Sequence, residues 1–289
     1  MLLQEISENT SGGALEALGL NFEVNLQPIY DGRGEQINGS MSVTRADTQQ
    51  SLGIVGSRYR PIQNHEAFEV FDSLPNMNYV GGGMVGSKVF LVIDLGEFQV
   101  KGDGSSIRKQ IVIVTSHDGT KATTYSMVPL RVFCANQIAV INDNSFLNVR
   151  HSSTYKERLS AVSLFGEAMV NQYDLQRERF NGLANIQISD STLRDSLEMF
   201  FPIRGLTDDD NMKMTRRLNQ REEVARLFHE GHTSKMESNG WRVYNAFTEY
   251  FSHSQNYRGH DSEVKNRFLE GKYIRQMSNL EQALLSESL

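Results

Sequence analysis

Arg58-Tyr59-Arg60 places two guanidinium groups around one aromatic ring at the end of a strand-like apolar run. That arrangement suits sequence-tolerant recognition of single-stranded nucleic acid, where a ring stacks on a base and neighbouring cations neutralise phosphate. Further cations, Lys88, Arg108, Lys109, Lys121, Arg131 and Arg150, are spread through the same half of the chain. Strands that send alternate side chains to opposite faces can gather several of them on one side; the alternative is scattered solvated charge. His117-Asp118-Gly119 follows the run IVIVTS, with Asp and Gly supplying turn chemistry, and is expected to shape a loop beside these cations.

Other chemistries fail on spacing. Gly81-Gly82-Gly83-Met84-Val85-Gly86-Ser87-Lys88 contains G-x-G-x-x-G, but a strand rather than a helix follows, and the phosphate-loop Gly-Lys-Ser/Thr is missing. A glycine-rich turn or bulge between strands is expected there. His229-Glu230-Gly231-His232 lacks the four-residue spacing of a zinc helix and is interrupted by glycine. His117, Asp118 and Cys134 hold the elements of a thiol nucleophile, yet nothing in their spacing brings them together; a lone cysteine between Phe133 and Ala135 reads as a small buried residue. Lys213, Arg217 and Arg221 recur every four residues, and Asp209 sits one turn before Lys213, so a solvated, ion-paired face is expected. Trp241, Tyr244, Phe247 and Phe251 form an aromatic helix face of the kind that builds cores. No catalytic residue, metal or cofactor is assigned; a metal-dependent nuclease, whose carboxylate ligands need not lie close in sequence, stays open as a third reading.

These residues need a scaffold, and the periodicity describes one. From Asn21 to about Arg150, runs such as FEVNLQPIY, LGIVGSRYRPI, VFLVIDLGEFQV and IRKQIVIVTSH alternate with Gly, Asp and Asn clusters, which predicts strands. A helix is predicted over His65–Leu74 and a second, short one over Leu130–Ile141. After residue 152 the period becomes helical: Thr154 and Glu157 suggest a capping box ahead of the stripe Leu159, Val162, Phe165, Met169 and Tyr173. Further helices are expected over Ser189–Phe201, from Thr207 with its three following aspartates, over Trp241–His253 and over Tyr273–Leu285. The expected class is α+β, with a strand-rich N-terminal half (an antiparallel or mixed sheet with one or two packed helices) and a helical C-terminal half. The expected units are an acidic segment at 1–20, an α+β core with a basic surface at 21–152, and a helical region at 153–289 packed on or continuing that core.

The chain has 289 residues, 39% of them hydrophobic, enough for a substantial core. Its formal net charge of −6 is uneven, with nets of −5 over residues 1–52, +2 over 53–160 and −3 over 161–289. An anionic partner must therefore use a local surface in the middle of the chain, because the whole-molecule field repels it. No apolar window is long enough to span a membrane, the start lacks the basic region of a secretory leader, and the single Cys134 fits a reducing compartment, so a cytoplasmic location is expected.

Several separated words of the sequence resemble a known family. Leu52-Gly53 with Tyr59 through Asn64 and Phe68, Ser116-His117-Asp118-Gly119, and Arg131-Val132-Phe133-Cys134-Ala135-Asn136, in that order and followed by a helical tail, resemble the phage/plasmid-like proteins filed as domain of unknown function 932. The resemblance runs from about Leu52 to the C-terminus. It implies a phage, prophage or plasmid setting and makes Cys134 and Asn136 part of a motif, without supplying a catalytic role. The element order is also compatible with the β-β-β-α core of single-strand annealing recombinases, an analogy of fold alone.

The function expected from these readings is single-stranded nucleic-acid binding in strand annealing, recombination or replication. Arg58, Arg60, Lys88, Arg108, Lys109, Lys121, Arg131 and Arg150 would meet phosphates, and Tyr59 would stack. The annealing reading implies a homo-oligomer with single-stranded DNA as partner. The rival expectation is a non-catalytic accessory protein that binds a host defence or replication protein through its acidic N-terminal segment. In that case deleting residues 1–20 would leave the domain folded.

Overall fold

The computed structural model describes residues 4–104, 106–131, 136–137, 146–207, 210–251 and 272–286. Two antiparallel sheets occupy the N-terminal half and helices the rest, an α+β fold. The larger sheet has the order β1 (Gln4–Glu8), β5 (Asn78–Val85), β6 (Lys88–Gln99), β7 (Ser106–Ser116), β8 (Thr123–Arg131) and β10 (Phe146–Val149), with β9 (Asn136–Gln137) also pairing with β8. The smaller is a meander of β2 (Val24–Tyr30), β3 (Gln36–Arg45) and β4 (Ser51–Gly56). It is followed by α2 (Asn64–Phe68), which runs into a single 3-10 turn at Glu69–Phe71.

The unbroken apolar runs of β6 and β7 follow from burial of both sheet faces. Because successive side chains point to opposite sides, Val89, Leu91, Ile93, Ile111 and Ile113 join the main core, while Phe90, Val92, Val112 and Val114 form a second buried cluster with Val128. The main core is roofed by α1 (Ser11–Ala17), α2 and α3 (Tyr155–Asn185). Beyond α3 lie α4 (Asp190–Phe200), α5 (Asn211–Glu230), α6 (Gly240–Glu249) and α7 (Lys272–Ser286). The aromatic face of α6 is core, with Trp241, Tyr244 and Phe247 wholly buried, and the Trp241 indole N–H donates to Asp103 Oδ2 at 2.8 Å. That bond ties the helical half to the loop between β6 and β7. No helix is long and apolar enough to cross a membrane among the described residues.

Several local expectations need correction. Leu130, Arg131, Asn136 and Gln137 are strand, because the end of β8 pairs with β9; the remainder of the expected helix, with Cys134, lies outside the described residues. Thr154 does precede α3, but its side chain makes no capping hydrogen bond and its hydroxyl lies beside that of Ser152. Phe165 is exposed rather than part of the buried stripe, and Gly166 instead packs against Phe71 and Leu74. Most of the glycine-rich segment is strand rather than turn: Gly81, Gly82 and Gly83 pair within β5 against β6, and the chain turns only at Gly86, with φ +61°. The acidic N-terminal segment is not an appendage: β1 forms the sheet edge against β5, and Ala14, Leu15, Leu18 and Leu20 are buried in the main core. In the basic helix α5, Arg217 donates to the Phe200 carbonyl and Arg221 pairs with Glu198, so the stripe is braced against α4; Asp209 lies outside the described residues.

Candidate nucleic-acid interface

Four chain segments meet at one end of the larger sheet. Strand β4 ends in a tight turn, closed by the Tyr59 amide donating to the Gly56 carbonyl at 2.9 Å, which leaves Ser57 and Arg58 at its tip. The Arg60 guanidinium braces this turn by donating to the carbonyls of Ser57 at 3.2 Å and Tyr59 at 3.0 Å. The end of β10 comes alongside, since the Arg60 amide donates to the His151 carbonyl and the Ile62 amide to His151 Nδ1 at 3.3 Å. With Nδ1 accepting, the proton of a neutral His151 sits on Nε2, which lies 3.5 Å from the Thr123 hydroxyl. The imidazole of His151 stacks on Tyr59, with centroids 4.9 Å apart and planes 8° from parallel.

The third segment is the loop after β7. Tyr59 donates its hydroxyl to the Ser116 carbonyl at 3.0 Å. Asp118 is saturated by hydroxyls: Oδ1 accepts from Ser116 at 2.5 Å and from the Thr120 hydroxyl and amide, and Oδ2 accepts from Ser87. Burial alone would raise the Asp118 pKa, but the donors from Ser116, Ser87 and Thr120 outweigh it and hold the carboxyl well below its ordinary range. The backbone of this loop fits closely against β4, so that a Cβ on Gly53 would stand 2.6 Å from the Asp118 Cα.

The fourth segment is α2. His117 is fully buried, and its Nε2 lies 2.8 Å from Asn64 Oδ1. Asn64 donates its Nδ2 to the Leu20 carbonyl, so its oxygen faces the histidine and the imidazole proton sits on Nε2. His117 Nδ1 is buried with no hydrogen-bond partner among the described residues. Desolvation, with the nearby His151 acting in the same direction, pulls the His117 pKa down to about 4. Desolvation also lowers His151 to about 4. Both rings are therefore neutral near pH 7.

Between the β4 turn and the β10 end is a cavity of about 540 Å3. Arg58, Tyr59, Arg150 and His151 line it, together with Ser57, Ser152 and the chain at Gly39 and Gly56. Arg58 and Arg150 are exposed and have no ion-pair partner among the described residues.

The nine residues expected to bind nucleic acid thus separate into three groups. Arg58, Tyr59 and Arg150 share the cavity, and Arg60 braces its rim. Lys88 is paired in register with Ser116, and Lys121 follows the Asp118 loop, so both sit at the same end of the sheet without lining the cavity. Arg108, Lys109 and Arg131 are at the opposite end, where Arg131 is in register with Ile107. Ile107 and Ser116 are nine residue steps apart along β7, or about 30 Å at strand rise. Arg108 there is partnered by Asp94 at 3.7 Å. His117 and Asp118 are positioning residues beneath the rim; Asn136 lies in β9 opposite Arg131, remote from the cavity. Sequence reasoning missed His151, Ser57 and Ser152: position 151 is brought to position 59 where the chain leaving β10 runs beside the chain leaving β4, strands of two different sheets, and no local spacing signals it. Among the described residues no three His, Cys, Asp or Glu side chains gather as metal ligands would.

The chain matches the model of a domain of unknown function (DUF932) over residues 51–270, most of its length, and belongs to that family. No curated protein and no solved structure matches it. The family words that are separated in sequence are neighbours in space: Gly53 against Asp118, Tyr59 bonded to Ser116, and Asn64 bonded to His117.

Proposed function

We propose that this protein is a non-enzymatic, cytoplasmic, single-stranded nucleic-acid-binding protein of a phage, prophage or plasmid, acting in strand annealing, recombination or replication. The observation that carries the reading is that Arg58 and Arg150, two arginines without carboxylate partners among the described residues, line one cavity together with the stacked Tyr59 and His151. Cations beside an aromatic surface are what a phosphate and its base require. Lys88 and Lys121 at the same sheet end extend the positive surface for a strand leaving the cavity. The hydroxyl-saturated Asp118 stays ionised and holds the turn in shape through its fixed donors.

The test is fluorescence anisotropy of a labelled single-stranded oligonucleotide with the purified protein, with matched duplex as competitor. Binding at micromolar concentration or tighter, outcompeted weakly by duplex, is expected. Absence of binding at low salt, or a preference for duplex, would overturn the reading.

A further inference from the structure

We infer that the cavity between Arg58 and Arg150 is a site for a phosphate monoester, the terminal phosphate of a nucleotide or of a strand end, rather than for an internal phosphodiester. In the form of a strand end the inference rests on the nucleic-acid reading above; the site itself does not.

The argument is one of charge and size. An internal phosphodiester carries one negative charge, whereas a terminal phosphate carries close to two near pH 7. Arg58 and Arg150, with no ion-pair partner among the described residues, line this cavity together with Ser57 and Ser152. Helix α3, 31 residues long, starts three residues after Ser152, so its first turn follows the cavity lining directly in the chain. Of the neighbouring carboxylates, Asp118 stays ionised and is held by the hydroxyls of Ser116, Ser87 and Thr120, and Glu66 is held by the Tyr155 hydroxyl and Lys156. Two guanidiniums can pair with the three free oxygens and the double charge of a terminal phosphate, whereas an internal phosphodiester offers two free oxygens and a single charge. At about 540 Å3 the cavity is the size of a single small-ligand site, with the Tyr59 and His151 rings on its wall for one base.

The test uses the full chain and four probes: one labelled single strand with a 5′-phosphate, the same strand with a 3′-phosphate, the strand with hydroxyls at both ends, and dTMP with thymidine as its control. Binding of either phosphorylated strand at least tenfold tighter than the hydroxyl strand, with dTMP but not thymidine competing, is expected. The preference should vanish in the double variant Arg58→Gln/Arg150→Gln, whose melting temperature should stay within a few degrees because both side chains are exposed. Equal affinity for all three strands, or a preference that survives the double variant, overturns the terminal-phosphate site and leaves the nucleic-acid reading standing. Arginine-dependent binding of dTMP without binding of any strand supports the site and overturns the strand reading. No binding of any probe overturns both.

Discussion

The imidazole of His151 lies flat on the ring of Tyr59, 4.9 Å between centroids, although 91 residues of chain separate the two positions. The contact fastens the end of β10 to the turn leaving β4, and it forms the aromatic wall of the cavity between Arg58 and Arg150. One face of Tyr59 is therefore committed to His151, and a base would meet the composite surface of both rings. Substituting Tyr59→Phe keeps the stack and removes only the donor to the Ser116 carbonyl. It should cost about 0.5–1.5 kcal/mol in urea denaturation with strand affinity little changed, whereas His151→Ala should lower both stability and affinity. Unchanged stability of both variants would contradict the clasp.

The close approach of Gly53 to Asp118 explains why glycine stands in the second strand position of the family word. A methyl group there would meet backbone at 2.6 Å. Gly53→Ala should destabilise the protein by about 1–3 kcal/mol through overpacking, measured as a lowered denaturant midpoint. A neutral outcome would mean that the loop after β7 does not sit against β4.

The neutral, buried His117 makes stability depend on pH in a defined direction. Its folded pKa is about 4 against an ordinary value of 6.5, so the unfolded chain binds more protons between those limits. The stabilisation is complete above about pH 6.5 and is lost as pH falls toward 4, by up to about 1.4 kcal/mol per pH unit for this group, with His151 acting in the same direction. Urea denaturation at pH 7 and 5.5 should show the loss. In His117→Asn, where the amide can still donate to Asn64, the slope should be shallower; an identical slope would remove His117 as its source.

The N-terminal segment should behave as part of the fold. Removing residues 1–20 deletes the edge strand β1 and the core residues Ala14, Leu15, Leu18 and Leu20, which bury nearly all of their surface. At roughly 1.5–3 kcal/mol for each fully buried large apolar side chain, the truncated chain should be insoluble or lose its cooperative melt by circular dichroism. A well-folded truncated protein would contradict this arrangement.

Much of this was legible in the sequence, and the divisions are physical. Alternation and helical stripes located β2, β4, β6, β7, α2 and the C-terminal helices, but not β5, whose glycines suggest a turn, nor β8; the aromatic spacing of Trp241, Tyr244, Phe247 and Phe251 correctly placed that face in the core. Residues 11–17 escaped notice because SGGALEA carries two glycines and an apolar face only one turn long. The basic residues were identified without their grouping. Arg58 and Arg150 meet because β4 and β10 end side by side, whereas Arg108 and Lys109, on the strand that leads to Ser116, are carried away from the cavity by its length. Register, not spacing, decides which charges share a surface.

The most direct test of the account is the salt dependence of single-strand binding by the wild-type protein and by Arg58→Ala/Arg150→Ala. For single strands each phosphate contact contributes about 0.7 to the slope of log affinity against log salt. The wild type should bind with a steep slope, and the double variant should bind more weakly with a slope shallower by about 1. An unchanged slope in the double variant, or no salt-dependent binding by the wild type, would contradict the central claim.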